Sequence, residues 1–128
     1  MSRLRPGPSL LAWIGVFFPP FAWAGQHIAG YATGLADCPD NTRGPGWNVP
    51  VDALTIIIGG TAAALVLAGG VCAFLAWWAS READDDDAPP AGRVHFLSVI
   101  GLTITPLFLA IVLMSSAGAI IANGCAQS

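Results

Sequence analysis

The sequence contains no lysine, and its five cations are Arg3, Arg5, Arg43, Arg81 and Arg93. Only 10% of its 128 residues are charged, against roughly a quarter in an ordinary soluble domain. So few scattered cations cannot build the basic face of a nucleic-acid module. Three long stretches carry no carboxylate, so no trail of buried acids exists to relay protons along them. The chain also lacks a Cys-x-x-Cys pair, a phosphate-cradling glycine loop, a Ser–His–Asp set and an internal repeat. No residue is therefore assigned a catalytic role, and none a metal.

What is abundant is apolar. The hydrophobic fraction of 55% excludes a disordered chain. Removing every charged residue leaves uncharged runs at 9–36, 53–80 and from 94 onward. Trimmed at polar, Gly and Pro signals, they predict an all-α integral membrane protein of three transmembrane helices, near 10–34, 53–79 and 95–122. Each predicted span is about 25–28 residues, roughly 37–42 Å of helix, enough to cross a bilayer with some tilt. The whole of 1–128 reads as one membrane domain. Ser9 and Asp52 are expected N-terminal caps, with Gly34 and Asn123-Gly124 as C-terminal stops.

Arginine placement predicts the orientation. The N-terminal tail and the acidic 80–94 loop hold Arg3, Arg5, Arg81 and Arg93, while the 35–52 loop holds only Arg43. Four against one places the N-terminus and the 80–94 loop in the cytoplasm. The 35–52 loop and the C-terminus then face the periplasm of a bacterial inner membrane. Trp13, Trp77 and Trp78 fall at one interface, and Tyr31 and Trp47 near the other. Ala22-Trp23-Ala24 resembles a signal-peptidase site, but the apolar run continues past it to full span length. The first span is accordingly expected to be an uncleaved anchor, with a cleaved leader and two remaining spans as the alternative.

On this topology Cys38 and Cys125 lie a few residues beyond their spans, at one depth on the oxidising side. A Cys38–Cys125 disulfide closing almost the whole chain would add about 4–5 kcal/mol against the unfolded state. Two free thiols are the alternative, and two thiolates make a poor closed zinc site. Cys72, in the other half of the second span, can reach neither.

The second span carries small residues every fourth position, at Gly60, Ala64, Ala68, Cys72, Ala76 and Ser80. Such a stripe lets a neighbouring backbone approach closely, within the chain or in a partner. The first span holds the deep polar residues Gln26 and His27. Trp23, His27 and Tyr31 follow at four-residue spacing, and together with Gln26 and the loop residue Trp47 they form the expected partner contacts. His27 could ligate haem only with a second ligand from elsewhere, because His95 sits at the far end of the third span. Pro19-Pro20 and Pro106 are expected to kink their helices near the carbonyls of Gly15, Val16 and Leu102, with Thr103 and Thr105 helping to satisfy the freed groups.

The order Phe21-Ala22-Trp23-Ala24, His27, Gly30-Tyr31 and Cys38, then Trp77-Trp78, Gly92-Arg93, Phe96-Leu97, Gly101-Leu102, Leu107-Phe108 and Cys125 resembles a family of short bacterial membrane proteins. Their genes commonly accompany those of haem–copper cytochrome c oxidases. The resemblance implies a non-catalytic accessory subunit of a respiratory complex, stabilising or assembling larger membrane subunits, with lipids around it and cytochrome c nearby. It implies haem and copper in the partner subunits and no cofactor of this chain's own. Two further readings stand beside it. One is a small homo-oligomeric transporter or pore, the other an assembly factor using the periplasmic cysteines.

Overall fold

A computed structural model describes residues 7–37, 51–82 and 91–121. These are almost wholly helical: α1 Pro8–Asp37, α2 Val51–Ser80 and α3 Ala91–Ile121. All three are long and apolar enough to cross a membrane, as a multi-pass membrane protein requires.

α1 and α2 begin and end slightly outside the predicted limits, whereas α3 begins early, at Ala91, and ends at Ile121, just inside its limit. Ser9 lies within α1 rather than capping it. The first turn is closed by the Leu11 amide donating to the Gly7 carbonyl at 3.2 Å. Pro8 therefore takes the first helical position, where its fixed φ fits and its missing N–H is not needed. Gly34 does not stop α1, which continues to Asp37. Likewise α2 starts at Val51, one residue before the expected cap at Asp52.

Inter-helix contacts set an up–down–up arrangement. Gly15 meets Ala73 and Gly101, Gly59 meets Ser116, Gly69 meets Pro19, and Gly70 meets Thr105. Hence α2 runs antiparallel to α1 and α3, and every pair of helices is in contact. Trp13 of α1 and Trp77 and Trp78 of α2 consequently share one end of the bundle. There the Arg81 guanidinium lies 4.1 Å from the Trp78 ring centroid, a cation–π contact at the water-facing end of an apolar helix.

Each helix turns a seam with alternating steps of three and four toward the others. On α1 the buried positions are Ala12, Gly15, Pro19, Ala22 and Gln26. On α2 they are Gly59, Ala62, Val66, Gly69, Ala73, Ala76 and Ser80. On α3 Val94, Ser98, Gly101 and Val112 continue the pattern, with Thr105 and Phe108 half-buried between them. A mean step of 3.5 is that of helices wound left-handedly around one another. The strict four-residue stripe does not mark the seam within the chain. Four residues turn a helix about 40° past a full circle, so five such steps carry Gly60 to Ser80 about 200° around α2. Gly60, Ala64 and Ala68 face outward, Cys72 is half-buried, and only Ala76 and Ser80 lie inside.

Small residues make the interior. One cluster joins Ala22, Ala62, Val66 and Val112, with Trp23 and Phe108 against it. A second joins Ala12, Ala76 and Val94. Lipid gives no hydrophobic drive between helices, so dispersion from this close packing holds them. The prolines leave the helices unbroken. The hydroxyls expected to serve freed carbonyls do something else. Thr103 donates to Val99 O and Thr105 to Gly101 O, each one turn back on its own helix. A side chain four residues on reaches its own turn more easily than the Leu102 carbonyl beside it.

At the Trp end, His95 Nδ1 donates to the carbonyl oxygen of Ser80, 3.1 Å away. This satisfies one of the orphan carbonyls at the C-terminus of α2 and ties α3 to it. His95→Ala is expected to lower bundle stability by about 1 kcal/mol, read by thermal unfolding in micelles. An unchanged midpoint would mean that water serves that carbonyl equally well.

Candidate functional site

Gln26 lies on the α1 seam, one turn past Ala22, and only 8% of it is exposed. Its side chain crosses to α3. Nε2 donates to the Val112 carbonyl at 3.1 Å and to Ser116 Oγ at 2.7 Å. Ser116 Oγ in turn donates to the same Val112 carbonyl at 2.9 Å. A carbonyl can only accept, so the amide nitrogen must be the atom facing Val112. The second helix supplies the room. A Cβ on Gly59 would collide with Ser116 Oγ, so the absent side chain of α2 makes space for the hydroxyl.

Two polar atoms of this layer are buried without a hydrogen-bond partner among the described residues, Gln26 Oε1 and Trp23 Nε1. Trp23 is half-buried against Phe108, their ring centroids 6.3 Å apart. An apolar groove of about 420 Å³ runs beside this layer between α1 and α2, walled by Phe18, Phe21, Gly25, Gln26, Ile57 and Leu65.

The expected partner face of α1 is thus divided. Gln26 is not a surface contact: it points into the bundle and fastens α1 to α3. Trp23 leans half inward. His27 and Tyr31 are exposed on the outside of α1, with the His27 ring 4.7 Å from that of Trp23. Gln26 and His27 are neighbours in sequence and so about 100° apart around the helix, which is why one is inside and the other out.

His27 lies beside Gln26, whose partner is Val112, whereas His95 lies seventeen residues earlier on α3. That separation is about 26 Å along the axis, so the two imidazoles cannot share one iron. Among the described residues no three metal-ligating side chains gather. Cys72 is half-buried with a free thiol. Cys38, Cys125 and Trp47 fall outside the described residues.

No family model, curated protein or solved structure matches this chain.

The arrangement can pack and dock. At the Gly15–Ala73–Gly101 layer three backbones close on one another, leaving no room even for a methyl group. A solute path through the middle of one bundle is blocked there. Sequence reasoning missed the inward role of Gln26, although the three–four spacing of Ala12, Gly15, Pro19 and Ala22 extends to it.

Proposed function

We propose that this chain is a non-catalytic accessory subunit of a respiratory membrane complex, associated with cytochrome c oxidase in a bacterial inner membrane. Its task is to stabilise or assemble larger integral subunits. The observation that carries the reading is the second, outward strip of small residues on α2. Gly60, Ala64 and Ala68 are not used by the bundle's own seam, and around Gly60 nothing lies within 4 Å of an added Cβ. Small residues that serve no internal contact suit the close approach of a further helix. The sealed interior disfavours the transporter reading, which would have to route solute between copies. The family resemblance supplies the complex. In this reading haem and copper belong to the partner subunits, and the arginine distribution puts the 35–52 loop toward cytochrome c.

The test is affinity purification in mild detergent on a C-terminal tag, followed by native mass spectrometry and a visible spectrum. Large subunits with haem bands should co-purify, and deletion of the gene should lower the yield of intact oxidase. A colourless preparation, with oxidase unchanged in the deletion strain, would overturn the reading.

A further inference from the structure

The groove between α1 and α2 has a definite depth in the membrane. It begins at Phe18 and runs past Phe21 and Gly25 to Ala29, with Leu65 and Ile57 on the α2 wall. The apolar stretch of α1 covers Pro8–Thr33, so Phe18 lies near its middle and Ala29 one turn from its end. From residue 18 to residue 29 is roughly 16 Å along the axis. One leaflet of hydrocarbon is about 15 Å thick, half of a core of about 30 Å. The groove therefore follows a single leaflet, the one at the Tyr31 end, from the midplane to just short of the headgroups.

The lining decides what chemistry fits. Among the described residues no charged side chain lines it, and its two polar side chains are turned to other uses. Gln26 gives its amide hydrogens to α3 and keeps Oε1 buried beneath the surface. The Thr61 hydroxyl donates to the Ile57 carbonyl of its own helix at 2.8 Å. A polar ligand would lose its water and gain no partner, which is costly. The floor is made by small residues: Ala22 and Ala62 are buried, and nothing lies within 4 Å of a Cβ added to Gly25. Phe18, Phe21 and Leu65 stand exposed along the rim.

Its width selects further. About 420 Å³ spread over roughly 16 Å leaves a cross-section of roughly 26 Å², about a third of that of a helix 10 Å across. A further helix would lie over the groove and send in single side chains. A hydrocarbon chain, whose carbons pack about 4 Å from their neighbours, follows it throughout. Lying lengthwise, such a chain gives the concave floor a continuous set of dispersion contacts that lipid standing outside the groove cannot reach.

We infer that the groove binds one acyl chain of a phospholipid from the Tyr31-end leaflet. The chain lies along Gly25, with its methyl end near Phe18 and its headgroup beyond Ala29. The site selects by hydrocarbon and not by charge. It does not depend on the accessory-subunit reading, since both walls belong to this chain.

The test is native mass spectrometry of the full chain, taken into mild detergent after reconstitution with dioleoyl phosphatidylcholine or dioleoyl phosphatidylglycerol. The wild type should retain one phospholipid per chain, equally with either headgroup. Gly25→Leu starts its side chain in open groove and should lower the retained fraction about tenfold, because the leucine takes the place of the chain's contacts there. Gly118→Leu, in open space on α3, should retain lipid as the wild type does, and circular dichroism should show equal helicity in all three. Phosphatidylcholine with a diazirine on its acyl chain should label residues 18–29 and 57–65 in preference to α3, and Gly25→Leu should abolish that preference. A wild type that holds no lipid, labelling spread evenly over the three helices, or equal retention by Gly25→Leu would overturn the inference. Retention of phosphatidylglycerol alone would overturn it by placing the contact at the headgroup. A lipid-free wild-type dimer that Gly25→Leu separates would overturn it and assign the groove to a second copy.

Discussion

Gly15→Leu and Gly101→Leu are each expected to abolish the three-helix bundle, a loss above about 4 kcal/mol, while the alanine variants cost about 1–2 kcal/mol each. The reason is the layer these residues form with Ala73. A Cβ on Gly15 would sit 2.6 Å from Ala73 Cβ and 3.0 Å from the Ala73 Cα and backbone nitrogen. A Cβ on Gly101 would sit 2.8 Å from Ala73 Cβ and 3.2 Å from the carbonyl carbon and oxygen of Gly15. No flexible side chain is present to move aside, so the helices themselves must separate. Separation also strips dispersion contacts from the clusters on either side, Ala12–Ala76–Val94 and Ala22–Ala62–Val66–Val112, and in lipid nothing else drives association. Alanine's better helix propensity offsets part of the strain. The two sites differ in how they should respond to Ala73→Gly. For Gly101→Ala the tightest obstacle is the Ala73 methyl, so its removal should restore most of the loss. For Gly15→Ala the Ala73 backbone stays at 3.0 Å, and rescue should be partial. Unfolding of the leucine variants, and of the alanine variants with and without Ala73→Gly, followed by circular dichroism in micelles, decides this. Equal rescue at both sites, or a harmless leucine, would mean that the three backbones are not in contact.

The number and extent of the spans were legible because the bilayer imposes them: each crossing helix must be long, uncharged and closed in its own hydrogen bonds. The seam was not. Between Gly59 and Ser80 the second helix has so many glycines and alanines that several spacings find a row of them. What selects Gly59, Ala62, Gly69 and Ala73 over Gly60, Ala64 and Ala68 is the bulk on the other helices, with Pro19, Thr105 and Ser116 each needing a gap. That information lies in the pairing of helices and not in any one of them. Gln26 was legible as a polar residue within a span, and its direction was not, because Trp23, His27 and Tyr31 form a more conspicuous row beside it. The helix ends moved for local reasons, since Pro8 is itself a good first residue and Gly34 can be passed when the chain beyond remains helical.

Gln26→Glu is expected to destabilise the bundle by about 2–4 kcal/mol, whereas Gln26→Leu should stay within about 1 kcal/mol of the wild type. The two changes separate donor chemistry from volume. The amide gives two hydrogens from one nitrogen, one to Val112 O and one to Ser116 Oγ. A carboxylate has none, so an oxygen would face the Val112 carbonyl with no hydrogen between them, in a site 8% exposed. A protonated carboxyl has one hydrogen where two are needed. Ser116 could turn to serve the new acceptor only by giving up its own bond to Val112. Leucine is comparable to glutamine in volume and brings no acceptor. It removes the unpartnered Oε1 along with the two bonds, and it leaves Val112 still served by Ser116. Bonds between membrane helices average roughly 0.6 kcal/mol each, so their loss and the relief of the orphaned oxygen nearly cancel. Unfolding of wild type, Gln26→Leu and Gln26→Glu in one detergent tests the order. A glutamate as stable as the wild type would mean that the side chain at position 26 does not face the Val112 carbonyl. A leucine as harmful as the glutamate would mean that the amide's two bonds, and not its fit, hold α1 to α3.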